Sequence, residues 1–244
     1  MSAADWGLAP GALTGLAPAE RAFAELELDR PPAHAARRLE ALGFRELGRV
    51  LDAGCGIGQW TRALAETNPG VVGLDRHPGR VALARRLLAA DPGAGGRADV
   101  LVGDLLALPF RAAAFDAVFC YGVLMLVDAS RALAELARVV RPGGRFYACV
   151  NGPGWSLLLA RERGLVRIGA RTVARTLLGR ARDRFHTPAG FTRLARRHGI
   201  VVHHTGPEGS LRLGARRLLN DTPVYPAKYG GLTCVFEVLG ERLP

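Results

Sequence analysis

Three aspartates close three short apolar runs, at spacings that suit the three polar parts of a nucleoside-bearing ligand. Asp52 ends the first run and leads into the glycine series of "VLDAGCGIGQW", where Gly54, Gly56 and Gly58 occupy every second position. Asp75 ends the next run, "VVGLDRH", 21 residues beyond Gly54, and Asp104 follows in "VLVGDLLALPF". Glycines directly after a strand let a ligand lie against the backbone. A carboxylate just ahead of them repels a pyrophosphate and attracts an ammonium group, so the expected ligand is cationic and carries an amino acid. At its position Asp75 can accept hydrogen bonds from both hydroxyls of a ribose, and Asp104 from an adenine amino group. Two phosphate-binding alternatives fail. The dinucleotide fingerprint G-x-G-x-x-G needs a third glycine where Gln59 or Thr61 stands, and G-x-x-x-x-G-K-[ST] is absent.

The residues between these carboxylates read as the elements that must position them. Apolar runs at 49–53, 70–74, 98–102, 115–121, 144–150, 200–205 and 232–239 are expected strands. Helical patterns near 58–67, 79–90 and 131–139 separate the first five. Such alternation implies an α/β fold, a doubly wound, Rossmann-like sheet of seven strands with helices on both faces. Ligands of such sheets sit outside the carboxyl ends of the strands, where all three aspartates fall. Residues 1–45 read as a helical lead-in, with "PPAHAARRLEALGF" its clearest helix, 46–150 as the ligand-binding core, 151–190 as an Arg-rich helical cap insert, and 191–244 as the C-terminal part of the core sheet.

Composition narrows the class. The chain has 244 residues, 49% of them hydrophobic, enough for a core that needs no disulfide or metal. Cys55, Cys120, Cys149 and Cys234 show no CxxC or Cys/His ligand spacing, so no metal is expected. The N-terminus lacks a basic start followed by an apolar core, and no apolar run reaches ~20 residues, so a cytoplasmic location is expected. The net charge of +11 is uneven: residues 151–200 hold eleven arginines against Glu162 and Asp183. A uniformly basic nucleic-acid binder is thereby excluded, and no DNA partner is expected.

The stretches "VLDAGCGIGQW", "VVGLDRH", "VGDLLALPF", "FDAVFCYGVLMLVD" and "ELARVVRPGGRFYACV" stand in an order that resembles the class I S-adenosylmethionine-dependent methyltransferases of the small-molecule type, which includes quinone-biosynthesis enzymes. "GGLTCVFEVLGE" resembles that family's final, antiparallel strand. The resemblance implies an enzyme that moves a methyl group from S-adenosyl-L-methionine to O, N or C of a small molecule and releases S-adenosyl-L-homocysteine. It implies that Gly54, Gly56 and Gly58 underlie the methionine part and that Asp52 lies close to its ammonium. Asp75 would take the ribose hydroxyls, and Asp104 with Leu105 the adenine. Cys55, Gln59, Arg76, Cys120 and Tyr121 complete the expected cofactor-binding set.

The acceptor side carries no shared motif. Tyr121, Asn151, Trp155 and His186 are the expected substrate residues, with Tyr121 and His186 the candidates for catalysis. His186, in "RFHTP" at the end of the insert, is the one histidine considered as a base. Methyl transfer needs little acid–base help, because a sulfonium is already electrophilic and alignment supplies much of the acceleration. Arg167, Arg171 and Arg175 recur at helical spacing in the insert, and three readings stay open: a solvated face, a grip on an anionic acceptor or RNA, or a surface resting on an acidic membrane. A natural-product or other biosynthetic acceptor, a lipidic quinone and RNA are the acceptors weighed. A non-catalytic binding protein on the same fold is the alternative from another class. The sequence is compatible with a monomer or a homodimer.

Overall fold

The computed structural model describes residues 3–94, 96–162, 185–211 and 228–244. Its strands are β1 (Arg49–Ala53), β2 (Gly70–Asp75), β3 (Ala98–Val102), β4 (Phe115–Tyr121), β5 (Val140–Asn151), β6 (Ile200–Pro207), the short pair β7 (Lys228–Tyr229) and β8 (Leu232–Thr233), and β9 (Val235–Arg242). Its α-helices are α1 (Pro18–Leu28), α2 (Pro32–Ala41), α3 (Gln59–Thr67), α4 (Pro78–Ala89), α5 (Ala129–Val139), α6 (Pro153–Glu162) and α7 (Pro188–Arg197). A seven-stranded sheet runs in the order β3-β2-β1-β4-β5-β9-β6. β9 is antiparallel to both of its neighbours, β5 and β6, and the other pairings are parallel. The order reverses beside β1, which puts the switch point at the end of the glycine-bearing strand.

Successive side chains of a strand point to opposite faces, and here each face has its own apolar layer. On one face Phe44, Trp60, Leu64, Phe119 and Tyr147 are buried, with the Phe119 and Tyr147 rings stacked at 4.6 Å. On the other, Leu51, Phe115, Leu133, Leu136, Phe146, Phe191 and Phe236 pack beneath α5 and α7. A third cluster, with Trp6, Leu28, Ile57, Leu83 and Leu87, fastens the N-terminal segment over the start of the glycine loop and onto α4. Trp6 Nε1 donates to the carbonyls of Leu28 and Arg30, both at 3.0 Å, so the residues after α1 are held by a buried side chain.

The start of β5 differs from the sequence expectation, whereas β4 spans the expected 115–121. β5 starts at Val140, before "RPGG", because Val140 pairs with Phe115 and the ladder then shifts register before Ala117 meets Arg145. Pro and Gly mark a turn locally, whereas here they sit in an irregularity inside a longer strand. The run that begins at Phe115 stops pairing at Tyr121, and Gly122, with φ of 70°, turns the chain out of the sheet. "VLMLV" is therefore loop rather than strand, and its apolar character serves a cleft.

One buried ion pair joins the two ends of the described chain. Arg38 of α2, 4% exposed, pairs with Glu237 of β9, 0% exposed, and also donates to the Leu211 carbonyl at 2.8 Å. Glu237 accepts further from Tyr147 Oη at 3.0 Å and the Leu211 N–H at 2.8 Å. Removing one member of such a pair strands a charge in an apolar setting. Arg38→Met is expected to destabilise the fold by about 3–5 kcal/mol, read as a fall in the urea midpoint. A change within experimental error would mean that the pair carries no stability.

Candidate active site

The glycine loop leaves β1 at the carboxyl edge of the sheet and enters α3. Gly54 and Gly58 have φ of 83° and 84°, a region that L-residues with a side chain rarely adopt. Neither position has room for a Cβ: at Gly54 it would run into Val123, and at Gly58 it would come 2.8 Å from Ala84 Cβ of α4. The alternating glycines thus have a packing reason as well as a ligand-related one. The loop is pinned by its amides, since Gly54 and Cys55 N–H both donate to the Leu74 carbonyl, at 2.7 and 3.0 Å.

The three aspartates occupy three different environments. Asp52 is 1% exposed and accepts from Thr61 Oγ1 at 2.6 Å, beneath the loop rather than open to solvent. Burial pushes its carboxyl up to about 7; the Thr61 hydroxyl works against this, and neighbouring Asp75 adds to it. Asp75 is 7% exposed and uses both oxygens, accepting from Gly56 N–H at 3.1 Å and His77 N–H at 2.8 Å. It therefore ties the loop to the end of β2. Asp104 is exposed, with Oδ1 accepting from Leu106 N–H at 2.9 Å.

Asp75 and Asp104 open onto one cleft, lined also by Gly54, Arg76, His77, Gly103 and Leu105 and closed on its apolar side by Val123, Leu126 and Val127. An apolar slot with a carboxylate at each side has the chemistry to hold a flat base attached to a diol. Cys55 and Cys120 are buried packing residues, and burial holds both thiols far above their usual range. They are inert as nucleophiles.

A second polar group stands at the same edge of the sheet, around the last residue of β4 and the first of α3. Gln59 Nε2 donates to Glu27 Oε2 of α1 at 2.7 Å. Phe23 of α1 faces Gly56 and lies under the Arg80 guanidinium, 4.2 Å from the ring centroid, so α1 roofs the loop. Tyr121 packs on Trp60, centroids 4.9 Å apart, and its hydroxyl donates to Glu208 Oε1 in the turn after β6. Arg30 lies beside Tyr121, Glu27 and Glu208. Desolvation raises both Glu27 and Glu208 from the ordinary carboxylate range. Glu27, Arg30, Glu208 and the loop residues Val123, Leu126 and Val127 were missed by sequence reasoning. Only the apolar run after Gly122 carried a local signal.

The expected acceptor residues do not all meet. Asn151, 9% exposed, ends β5, and its carbonyl accepts from His186 N–H at 2.9 Å. The His186 ring packs edge-on to Phe191, centroids 5.6 Å apart, in the layer of α7, whereas Tyr121 belongs with the opposite layer. The two rings therefore pack against different core layers. Trp155 of α6 is half-buried against Tyr121's layer. Arg167, Arg171 and Arg175 lie outside the described residues. Among the described residues no cluster could hold a metal ion, and no helix is long and apolar enough to cross a membrane.

Comparison with known proteins follows this geometry. A family described as a methyltransferase domain matches residues 51–148. A ubiquinone/menaquinone biosynthesis C-methyltransferase of Geobacter sulfurreducens is 37% identical over 111 residues, which is 44% of this chain and 43% of that protein. An uncharacterised methyltransferase of Mycobacterium bovis is 31% identical over 173 residues, 69% of this chain and 64% of that one. The matched part thus spans less than two thirds of the length of these relatives. Among solved structures, magnesium protoporphyrin IX methyltransferase of Synechocystis with bound S-adenosylhomocysteine superposes with a TM-score of 0.60 at 20% identity, covering 86% of this chain and 81% of that chain.

The state of Asp52 has a measurable consequence. An unfolded Asp releases its proton near pH ~3.9, and the folded chain holds it to about 7. The folded state therefore binds more protons across that window, and stability falls as pH rises through it. Asp52→Asn should leave stability nearly unchanged at pH ~4 and raise it by up to about 4 kcal/mol at pH ~8. A pH-independent difference in denaturation midpoint would contradict the buried, protonated Asp52.

Proposed function

The chain belongs, through this domain, to the class I S-adenosylmethionine-dependent methyltransferases, and from that premise we propose that it transfers a methyl group from S-adenosylmethionine to a small-molecule acceptor. The reading rests on the cleft that joins Asp75 and Asp104 beside the glycine loop. Asp75 would hold the ribose hydroxyls through the lone pairs left by Gly56 and His77. Asp104 and the Leu105 backbone would take the adenine edge, with Val123, Leu126 and Val127 against its face. Gln59 Oε1 is buried and has no hydrogen-bond partner among the described residues, which fits it to receive an ammonium hydrogen of the methionine part. Asp52, beneath the loop, would act on that cation through its field, because a nearby positive charge favours release of the proton that burial otherwise holds to about 7. When bound, the sulfonium supplies an electrophilic methyl carbon; the protein's share is to orient it, exclude water and place the acceptor.

The acceptor class follows less directly. The Geobacter relative is named for quinone biosynthesis, and its match covers 44% of this chain. A lipidic quinone-like acceptor is therefore one option beside a soluble biosynthetic intermediate. RNA is disfavoured because Tyr121 is not part of an Asn-Pro-Pro-aromatic motif.

Asp75→Ala should weaken S-adenosylhomocysteine binding by about 1.5–3 kcal/mol, the scale of hydrogen bonds to a charged acceptor, with additional loosening of the loop through the lost Gly56 contact. Calorimetry reads this directly. Unchanged affinity would remove the ribose assignment, and no binding to the unaltered protein would remove the methyltransferase reading. Transfer of a labelled methyl group from S-adenosylmethionine to candidate acceptors is the matching activity test.

A further inference from the structure

We propose that Glu208 is the proton acceptor for a methyl acceptor that presents a hydroxyl group, with Tyr121 and Arg30 holding it in position. The inference rests on the methyl-transfer reading above and adds the chemistry of the second substrate. Glu208 Oε1 accepts the Tyr121 hydroxyl, while Oε2 is shut off from solvent and has no hydrogen-bond partner among the described residues. A buried carboxylate oxygen in that state carries the full cost of desolvation, which a ligand that donates a hydrogen bond removes.

Its surroundings narrow the ligand. Facing Glu208 are Tyr121 from β4, Arg30 after α1, Arg38 from α2 and Glu237 from β9, and Cys149 of β5 also lies within its field. The two acids and two arginines balance, so the site favours neither a strongly anionic nor a strongly cationic ligand. Burial, opposed by the Tyr121 hydrogen bond and by Arg30, leaves Glu208 above the ordinary range for a carboxylate. It is thereby a better base than a solvated glutamate. Trp60 and Tyr121, whose rings pack at 4.9 Å, give the polar group an aromatic surround.

The step balances without a further reactant. The acceptor O–H bond breaks as its proton passes to Glu208 Oε2; the electron pair stays on the acceptor oxygen and would form the bond to the methyl carbon, whose bond to the sulfonium sulfur would break with that pair left on sulfur. Tyr121 keeps its own proton, because burial and the neighbouring Glu208 hold its hydroxyl well above the usual phenol range. It is a positioning residue that fixes the other carboxylate oxygen.

The test uses 2-naphthol and 2-methoxynaphthalene, which share a ring system and differ in the hydroxyl hydrogen. Added to the full chain with and without S-adenosylhomocysteine, 2-naphthol should bind at least tenfold more tightly than the ether. The affinity for 2-naphthol should fall at low pH, as Glu208 takes up a proton and accepts the naphthol hydrogen less well, while that for the ether should not change with pH. Glu208→Gln should remove that pH dependence and most of the preference for naphthol, while leaving S-adenosylhomocysteine affinity unchanged. Tyr121→Phe should retain the preference but move the pH at which it is lost. Equal binding of the two probes, or a pH-dependent preference that survives Glu208→Gln, would overturn the assignment. If naphthol behaves as expected and S-adenosylhomocysteine does not bind, the methyl-transfer reading fails and the proton-accepting role of Glu208 stands.

Discussion

The glycine loop passes through a gap with no room for side chains, and the site depends on that passage. Val123 closes one side at Gly54, and Ala84 of α4 closes another at Gly58. The backbone there is left-handed, so the sequence has glycine for two independent reasons. Once the loop is held, the carbonyl of Leu74 and the carboxylate of Asp75 bind its amides, and the ends of β1 and β2 are locked together. The start of α3, and with it Gln59 and Trp60, follows from the same anchor. A shift of the loop would move every group that touches a ligand.

Placing three carboxylates on adjacent strand ends creates a problem that the fold resolves by environment. Asp52 goes under the loop with a hydroxyl partner, and burial keeps its proton to about 7. Asp75 satisfies two backbone amides, and Asp104 faces water. Like charges placed close together favour the protonated form of the more buried one, and Asp52, sealed beneath the loop, is the one that keeps its proton.

The polar group on the other side of the loop is made differently. Its members come from the turn after β6, the end of β4, the segment after α1 and the first residue of α3. Two of these four places, the turn after β6 and the segment after α1, lie outside residues 51–148, the part shared with the methyltransferase-domain family. The buried Arg38–Glu237 pair ties α2 to β9, so the N-terminal and C-terminal parts are held over the same sheet edge. Variation in those two parts can therefore change the acceptor without disturbing the nucleoside cleft, a division common to folds that host many chemistries.

The sheet, its helices and the strand-end carboxylates were legible in the sequence because each leaves a local trace. Apolar runs at strand spacing, glycines in series and an acid at each strand end are read within a few residues. Even so, local signals place the start of β5 after "RPGG", because pairing with β4 decides that boundary. The sequence also could not show that Asp52 is sealed beneath the loop, since burial is a property of what packs above it. Nor could it join Tyr121 to Glu208, which stand 87 residues apart, or separate His186 from Tyr121 onto opposite layers. Contacts of that kind have no period and no spacing rule. They exist only once helices and strands distant in the chain have closed the same edge of the sheet.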